Sequence, residues 1–203
     1  MCALQRRLQN GSQQDFEYFK SQIDQGKFDV RNYPLCRKQT YLQSAIFSGN
    51  YDLVKLILEE ERKYDLDIDE TDWDSDTALM YSTLENYPKI TRLLLDNGAN
   101  PFYLNVDGQN ALFYTASTEI VRMLLDEGVN VNHLDVNGET VLCILISEYE
   151  ELNLEPIALL LKNGARTDIV PPRWKSNSNA LTLRELVLSS SIDQRVKDLF
   201  NKY

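Results

Sequence analysis

The segment from residue 65 to residue 76, DLDIDETDWDSD, places seven carboxylates in twelve positions. Carboxylates on alternate residues are typical of the first half of a calcium-binding loop, where they supply oxygen ligands. Positions 1, 3, 5 and 12 of such a loop are held here by Asp65, Asp67, Asp69 and Asp76. However, Glu70 replaces the glycine needed at position 6, and no EF-hand helix pair flanks the segment. The sequence therefore predicts no dedicated metal site and no cofactor, and it leaves weak cation binding open.

The same acidic segment has two interpretations that involve no metal. It is either a solvated acidic face that keeps the protein soluble or a docking surface for a basic protein partner, whose encounter an acidic patch accelerates. Trp73 lies inside the segment, and tryptophan is enriched among the residues that dominate binding energy at interfaces. The sequence alone keeps both interpretations.

The charge of the chain argues against one class of partner. The 203 residues carry a formal net charge of −10, with ordinary globular contents of hydrophobic (43%) and charged (26%) residues. Residues 59–76 contain ten acidic side chains and only two basic ones, so most of the net charge is concentrated there. Because nucleic-acid binding needs clustered Lys and Arg to neutralise phosphates, we expect no nucleic-acid partner.

Several features bear on the compartment. No run of about 18 apolar residues is present, so we expect no membrane span. Residues 1–14 lack the apolar core of a signal peptide. Cys2, Cys36 and Cys143 are far apart and form no C-x-x-C pair, which favours reduced thiols over a disulfide framework or a zinc site. We therefore expect a cytoplasmic protein that is monomeric on its own.

A helical pattern recurs on both sides of the acidic segment. Four nine-residue blocks have apolar residues at i, i+3 and i+4 spacing, as an amphipathic helix requires. They are NYDLVKLIL (50–58), YPKITRLLL (87–95), STEIVRMLL (117–125) and LEPIALLLK (154–162). Three blocks are followed by Gly98, Gly128 and Gly164. A glycine just past a helix end adopts the left-handed cap conformation at little cost, so we expect the helices to end there.

A second short helix is predicted next to each block. Each begins with a capping residue, and a leucine follows two positions later. The capping residues are Thr40, Thr77, Asn110 and Thr140, and the leucines are Leu42, Leu79, Leu112 and Leu142. A Thr or Asn side chain accepts a hydrogen bond from a first-turn N–H, and we expect the leucines to face inward. The capping residues lie 37, 33 and 30 positions apart, as in a repeat of about 33 residues.

These paired helices resemble the ankyrin repeat. The stretches DVNGETVLCILI and IALLLKNGA are similar to the family pattern D-x-x-G-x-T-P-L-H-x-A followed by I-V-x-x-L-L-x-x-G-A, as is NVDGQNALFYTA with IVRMLLDEGVNVN. The resemblance implies an all-α ankyrin-repeat solenoid of five to six helix–turn–helix units with hairpin fingers, in which each helix pair is stabilised by its neighbours.

The resemblance also implies a domain organisation. We expect a single domain over residues 1–203, in which residues 1–30 form a degenerate N-terminal capping repeat. Residues 31–168 would then form the core repeats, and residues 169–203 the C-terminal capping helices.

The chain departs from the family pattern at two places. The usual histidine of the inner helix is replaced by Gln43, Met80, Phe113 and Cys143, so we expect no histidine hydrogen-bond network between repeats. The third core repeat is three residues short between its helices, at ASTEI, so we expect a tighter turn. The expected result is an irregular stack of modest stability.

The repeat register places the acidic segment on a hairpin finger between two helix pairs. Three sets of finger positions align: Asp72 with Asn105 and Asp135, Ser75 with Gly108 and Gly138, and Trp73 with Val106 and Val136. Trp73 therefore falls near the tip of its finger.

No catalytic constellation is recognisable, and we predict that the protein is not an enzyme. The only histidine is His133, and the nearest cysteine is Cys143, which a Cys–His nucleophile would need in contact with it. Cys143 replaces the family histidine on the inner helix, so we expect it to be packed. We expect nothing to desolvate the carboxylates of the acidic finger, and no phosphate-binding glycine loop is present.

The resemblance implies non-catalytic recognition of a partner protein through a concave surface of finger tips and inner-helix ends. The implied contact positions are Thr71, Trp73, Asp74 and Asp76 on the first finger, Leu104, Val106, Asp107 and Gln109 on the second, Leu134, Val136, Asn137 and Glu139 on the third, and Phe47, Ser48, Leu84 and Glu85 at inner-helix ends. Four of these finger residues are Leu or Val. They either form an interaction patch or pack on one another.

Two more specific functions are alternatives to a generic interaction module. The first is a stoichiometric inhibitor, such as an immunity protein or antitoxin, that covers a basic enzyme with its acidic face in a fast, salt-sensitive, one-to-one complex. The second is an adaptor or effector that acts on host or cellular proteins and shares its surface among several weaker partners.

Overall fold

The structure is a computed structural model that describes residues 3–31, 39–148, 154–170, 181–189 and 194–203. Within these ranges the chain forms helices and turns and no β-strand, which confirms the all-α prediction. The α-helices are α1 (Ala3–Asn10), α2 (Gln13–Asp24), α3 (Tyr41–Ile46), α4 (Tyr51–Lys63), α5 (Ala78–Leu84), α6 (Pro88–Asp96), α7 (Thr118–Asp126), α8 (Val141–Glu148), α9 (Leu154–Lys162), α10 (Leu183–Ser189) and α11 (Gln194–Lys202). A 3-10 helix, Ala111–Tyr114, lies between α6 and α7.

The chain divides into two compact units, Met1–Val106 (unit 1) and Asp107–Tyr203 (unit 2). In unit 1, α3 packs between α1 and α5 as an inner layer, and α4 packs between α2 and α6 as an outer layer. The inner leucines Leu42 and Leu79 are buried, as the repeat pattern predicted. Each helix is too short to be stable alone in water, so burial against its neighbours is what stabilises it.

Unit 2 continues the same pattern, except that its first inner helix is a 3-10 helix. The 3-10 helix packs on α7 and α8, α9 packs on α7, α8 and α11, and α10 packs on α11. The predicted inward residues Leu112 and Leu142 are buried. Val196 and Phe200 bury the apolar face of the amphipathic helix α11.

The predicted helix caps are present. The hydroxyl oxygens of Thr40 and Thr77 accept hydrogen bonds from backbone N–H groups three residues later. The side chains of Asn110 and Thr140 cap the 3-10 helix and α8 in a similar way. The predicted C-terminal glycines all adopt left-handed φ angles: +90° at Gly98, +86° at Gly128 and +82° at Gly164.

The third core repeat is shortened in its inner helix and not in the turn between its helices. The sequence predicts a tighter turn. Instead, the inner helix itself is a four-residue 3-10 helix, Ala111–Tyr114, and Thr115 that follows it is extended. A 3-10 helix rises further per residue than an α-helix, so fewer residues span the same layer.

Gln43 on helix α3 forms hydrogen bonds to finger residues that the sequence did not predict. The buried Gln43 side chain, at the position of the usual family histidine, donates two hydrogen bonds of 2.9 Å to the carbonyl oxygens of Glu70 and Asp76. Its side-chain oxygen also accepts from the N–H of Thr40. Gln43 therefore fastens helix α3 to both arms of the following finger.

Candidate partner-binding surface

Three fingers connect the helix pairs: finger 1 (65–76), finger 2 (99–109) and finger 3 (129–139). The tip of finger 1 is built around Asp72, whose carboxylate is buried. Its Oδ1 accepts hydrogen bonds of 3.0 Å from the N–H groups of Asp74 and Asp76. The N–H of Asp72 donates back to the carbonyl of Asp76. A short acidic side chain that binds the backbone two residues later is what closes this kind of turn.

Ser75 occupies the conformation that glycine takes in the other fingers. Its φ is +61°, compared with +68° at Gly108 and +72° at Gly138. These angles confirm the alignment made from the sequence. A non-glycine residue in this region is strained, so the tip of finger 1 is held in place by its surroundings.

Trp73 stands on this turn and is 64% exposed, as its aligned position predicted. The carbonyl of Asp74 accepts a 3.1 Å hydrogen bond from the N–H of Val106 at the end of unit 1. Val106 and Leu104 are also exposed, so they do not pack away from solvent. Unit 1 thus presents three large apolar side chains on two hydrogen-bonded finger segments. Thr71, at the base of the turn, is half-buried.

Unit 2 repeats the construction on finger 3. Asp135 accepts from the N–H groups of Asn137 and Glu139 at 2.9 Å, and the N–H of Val136 donates to the carbonyl of Asp107. Exposed side chains on these fingers are those of Asp107, Leu134, Val136 and Asn137. Glu139 is only 2% exposed, so its side chain does not reach the surface. Gln109 is half-buried because its amide binds Asp135.

A chain of side-chain hydrogen bonds leads from the tip of finger 1 into unit 1. The hydroxyl of Tyr81 on α5 donates to Oδ2 of Asp72 at 2.5 Å. Tyr81 in turn accepts from the amide of Gln39 at 3.2 Å, and Gln39 accepts from the amide of Gln5 on α1 at 2.9 Å. Burial and the bond to Asp72 raise the pKa of Tyr81, which keeps the hydroxyl protonated as a donor. The sequence did not predict these hydrogen bonds, because Gln5, Gln39 and Tyr81 are far apart along the polypeptide.

The acidic residues of the 59–76 region do not form one solvated face. Glu60, Glu61 and Asp72 are buried. Asp69 and Asp76 are half-buried and accept hydrogen bonds from the backbone of Asn100 and the amide of Asn105. Partial burial raises the pKa of Asp69. The exposed carboxylates of this region are those of Glu59, Asp65, Asp67, Glu70 and Asp74. Half of the acidic side chains in residues 59–76 are therefore buried or half-buried rather than exposed.

Glu61 is a desolvated carboxyl group outside the acidic finger. It lies on α4 just before the acidic finger and is 4% exposed. Its Oε1 accepts a 3.3 Å hydrogen bond from the N–H of Leu42. Burial raises the pKa of Glu61 to about 8, and the nearby Glu70 charge adds to the rise. The carboxyl group is enclosed by protein.

The predicted positions at the inner-helix ends differ in accessibility. Leu84 is exposed at the end of α5, and Glu85 next to it is half-buried. The ring of Phe47 packs on that of Tyr81, with centroids 4.9 Å apart. The hydroxyl of Ser48 donates to the carbonyl of Ala45. Phe47 and Ser48 therefore support the inner helices, and Leu84 remains available at the surface.

Comparison with family models identifies the repeats. A model of three ankyrin repeats matches residues 8–105, and a single ankyrin-repeat model matches residues 107–136. The chain belongs to the ankyrin-repeat family. Stacks of such repeats characteristically present extended binding surfaces, so protein interaction is the class of function that this membership supports.

Solved structures of similar fold include two bacterial examples. One is a chain in the structure of a complex between a predatory endopeptidase from Bdellovibrio bacteriovorus and an immunity protein, with a TM-score of 0.77, 18% identity, and coverage of 100% of this chain and 98% of that chain. Another is an ankyrin repeat domain from Acinetobacter baumannii, with a TM-score of 0.75, 25% identity, and coverage of 98% and 96%. No curated protein matches the sequence.

His133 and Cys143, the candidate chemical residues in the described part of the ankyrin-repeat protein, each bond to a different partner. The Nε2 atom of His133 lies 2.8 Å from the carbonyl oxygen of Gly108. Cys143 is buried, as predicted, and its sulfur accepts from the hydroxyl of Thr140. Burial raises the pKa of the Cys143 thiol, which disfavours a reactive thiolate. Among the described residues, no group of three or more His, Cys, Asp or Glu side chains could hold a metal ion.

The cavities of the ankyrin-repeat protein are shallow. A depression of about 440 Å³ lies between α1 and α2 and is lined by Arg6, Arg7 and Asp15, among others. A second, of about 290 Å³, lies between α7 and α9 and is lined by Arg122 and Lys162, among others. In the first depression, the Ser12 hydroxyl and the Asp15 carboxylate are bonded to each other in the capping box of α2. None of the described helices is of a length and hydrophobicity that would cross a bilayer.

Proposed function

We propose that this ankyrin-repeat protein binds a partner protein through the tip of finger 1 and the apolar residues beside it. The observation that carries the proposal is Trp73, which is highly exposed although Asp72 closes the turn around it and the next residue, Asp74, is hydrogen-bonded to Val106. A partner that covers this side chain removes a large apolar area from water. Because the turn is already ordered, binding costs little additional conformational entropy.

Other exposed apolar residues of unit 1 extend the proposed surface. They are Leu84, Leu104 and Val106. Isolated exposed apolar residues are common on soluble proteins, but adjacent ones on hydrogen-bonded finger tips are typical of interaction patches.

The charges around Trp73 favour a basic partner. Glu70 and Asp74 are exposed on finger 1, close in sequence to the tryptophan. Carboxylates at the rim of an interface attract a positively charged partner and accelerate its association. We therefore expect a partner whose contact surface combines apolar groups with Lys or Arg, and binding that weakens as salt concentration rises.

The proposal is tested by capture of partners with purified protein from a lysate of the source organism, at low and high salt. We expect one dominant partner to be lost with the variant Trp73→Ala, Glu70→Lys, Asp74→Lys. The control variant is Tyr51→Ala, Asp96→Lys, which changes an exposed aromatic residue and an exposed carboxylate on the outer helices. Asp76 is left unchanged because its carboxylate binds Asn105. Equal capture by both variants would exclude finger 1 as the binding site.

A second, more specific candidate is a stoichiometric inhibitor of a basic enzyme. In the Bdellovibrio structure, a predatory endopeptidase is in complex with an immunity protein, and the matched chain is almost fully covered. The five exposed carboxylates of the 59–76 region provide the charge that such an inhibitor would need. Titration calorimetry with the captured partner distinguishes the candidates, because an inhibitor binds with a stoichiometry of one and abolishes an enzymatic activity. An adaptor would instead bind several partners competitively.

A further inference from the structure

We propose that Tyr81 positions the tip of finger 1 for partner binding, and that Gln39 and Gln5 extend this control to helix α1. This inference rests on the proposed function, because it concerns the orientation of the same tip. Tyr81 makes no contact with a partner in this account. It acts through Asp72, whose carboxylate holds the backbone on either side of Trp73.

The two oxygens of Asp72 have separate partners. Oδ1 accepts from the N–H groups of Asp74 and Asp76 and so closes the turn. Oδ2 accepts from the Tyr81 hydroxyl at 2.5 Å, the length expected of a strong hydrogen bond to a charged acceptor. Rotation of the carboxylate would break both sets of bonds. The hydroxyl of Tyr81 therefore fixes the Asp72 rotamer and, with it, the turn that carries Trp73.

Finger 3 shows that the turn itself does not require a tyrosine. Asp135 closes the same turn, but Ile144 occupies the position that corresponds to Tyr81, four residues after the cap. Oδ2 of Asp135 instead accepts from the side chains of Gln109 and Asn137. The distinct contribution of Tyr81 is thus to tie the tip of finger 1 to an inner helix.

The three hydrogen bonds that link Gln5 to Asp72 all have their donors on the side of helix α1. Gln5 donates to Gln39, Gln39 donates to Tyr81, and Tyr81 donates to the carboxylate at the finger tip. Gln5, Gln39 and Asp72 are buried, and bonds in such a series strengthen one another when water is excluded. Helix α1, at the start of unit 1, is thereby connected to a finger two helix pairs away.

The test uses Tyr81→Phe in a Trp174→Phe background, which leaves Trp73 as the only tryptophan. In the free protein we expect lower fluorescence anisotropy of Trp73 and roughly tenfold faster amide hydrogen exchange at Asp74 and Asp76, the equivalent of losing one charge-assisted hydrogen bond. Partner affinity should fall by about the same factor. The matched control is Tyr87→Phe, because the Tyr87 hydroxyl makes no hydrogen bond with the described residues.

Two substitutions of Asp72 provide a rescue test. In Asp72→Asn the side-chain oxygen still closes the turn, and the new amide donates to the Tyr81 oxygen. The amides of Gln39 and Gln5 can then flip, so that the whole chain runs in the opposite direction. We expect Asp72→Asn to keep the anisotropy of Trp73 and Asp72→Ala to lose it. The double variant Asp72→Asn, Tyr81→Phe should lose it as well.

Each outcome separates the inference from the function on which it rests. If Trp73 anisotropy and amide exchange in Tyr81→Phe equal those of Tyr87→Phe, Tyr81 does not position the tip. If Tyr81→Phe fails to fold, the hydroxyl proton of Tyr81 in the unmodified protein decides. Slow exchange of that proton with water supports the inference, and exchange at the rate of a free tyrosine overturns it. If Tyr81→Phe loosens the tip but neither it nor Trp73→Ala affects partner binding, positioning stands and the proposed function fails.

Discussion

At the scale of single residues, the most unusual group is the Glu61 carboxyl, which is buried on α4 and bonded to the N–H of Leu42 on α3. In the sequence it is one of the ten acidic side chains of residues 59–76. A carboxyl group in such a site is more favourable protonated than ionised, because burial removes the hydration of the charged form. Its protonation state therefore affects the stability of the fold.

We predict that the free energy of unfolding falls as pH rises from the ordinary pKa of the Glu61 carboxyl group toward its raised pKa in the folded protein. Its pKa in the folded protein is about 8, above its ordinary value of 4.5. Between these values the folded state binds more protons than the unfolded state, so the free energy of unfolding decreases with pH. Urea denaturation at pH 5 and pH 8 should give a decrease on the order of 3 kcal/mol relative to Glu61→Gln, which lacks the titrating group.

The comparison with Glu61→Gln cancels the contributions of other titrating groups. As a matched control, Glu59→Gln changes an exposed carboxylate on the same helix and should follow the unmodified protein. Parallel pH profiles for the unmodified protein and Glu61→Gln would show that the carboxyl group is not desolvated in solution.

Ser75 gives a second prediction at this scale. Its left-handed φ of +61° is accessible to glycine without strain and is most unfavourable for a β-branched residue. Ser75→Val should lower the free energy of unfolding by about 1–2 kcal/mol, and Ser75→Gly should stay within about 0.5 kcal/mol of the unmodified protein. If Ser75→Val denatures at the same urea concentration as Ser75→Gly, the turn is not left-handed.

At the scale of elements, the sequence was most informative where a local rule decides the outcome. Caps such as Thr40 and Thr77 depend on one side chain and a nearby N–H, and left-handed positions such as Gly98 follow from a single residue. The conversion of the third inner helix to a 3-10 helix was not predicted. A short repeat can adjust its turn or its helix, and packing against neighbouring helices decides between these.

The role of Gln43 belongs to this scale as well. Its side chain bonds two carbonyl groups of finger 1 from helix α3. Gln43→Leu leaves these groups without their donors, and we predict a loss of about 2–3 kcal/mol in the free energy of unfolding. The control is Met80→Leu at the equivalent position of the next repeat, which should cost less than about 1.5 kcal/mol. Similar losses for the two variants would contradict the proposed connection between helix and finger.

At the scale of the whole molecule, the repeat architecture was predictable and the distribution of its charges was not. The ankyrin pattern is repeated several times, so independent copies support one another. The fate of each carboxylate depends instead on single tertiary contacts, such as Asp69 with Asn100 and Asp76 with Asn105, about 30 positions away. A sequence shows how many charges a segment has, but burial decides which of them remain at the surface.

The central claim is that the tip of finger 1 binds a basic protein partner through Trp73. The most direct test is titration calorimetry of the captured partner against the unmodified protein, Trp73→Ala and Tyr51→Ala, at two salt concentrations. We predict that Trp73→Ala weakens binding by at least about 30-fold, that Tyr51→Ala has no effect, and that salt weakens the unmodified complex. Equal affinities for the three proteins at both salt concentrations would contradict the claim.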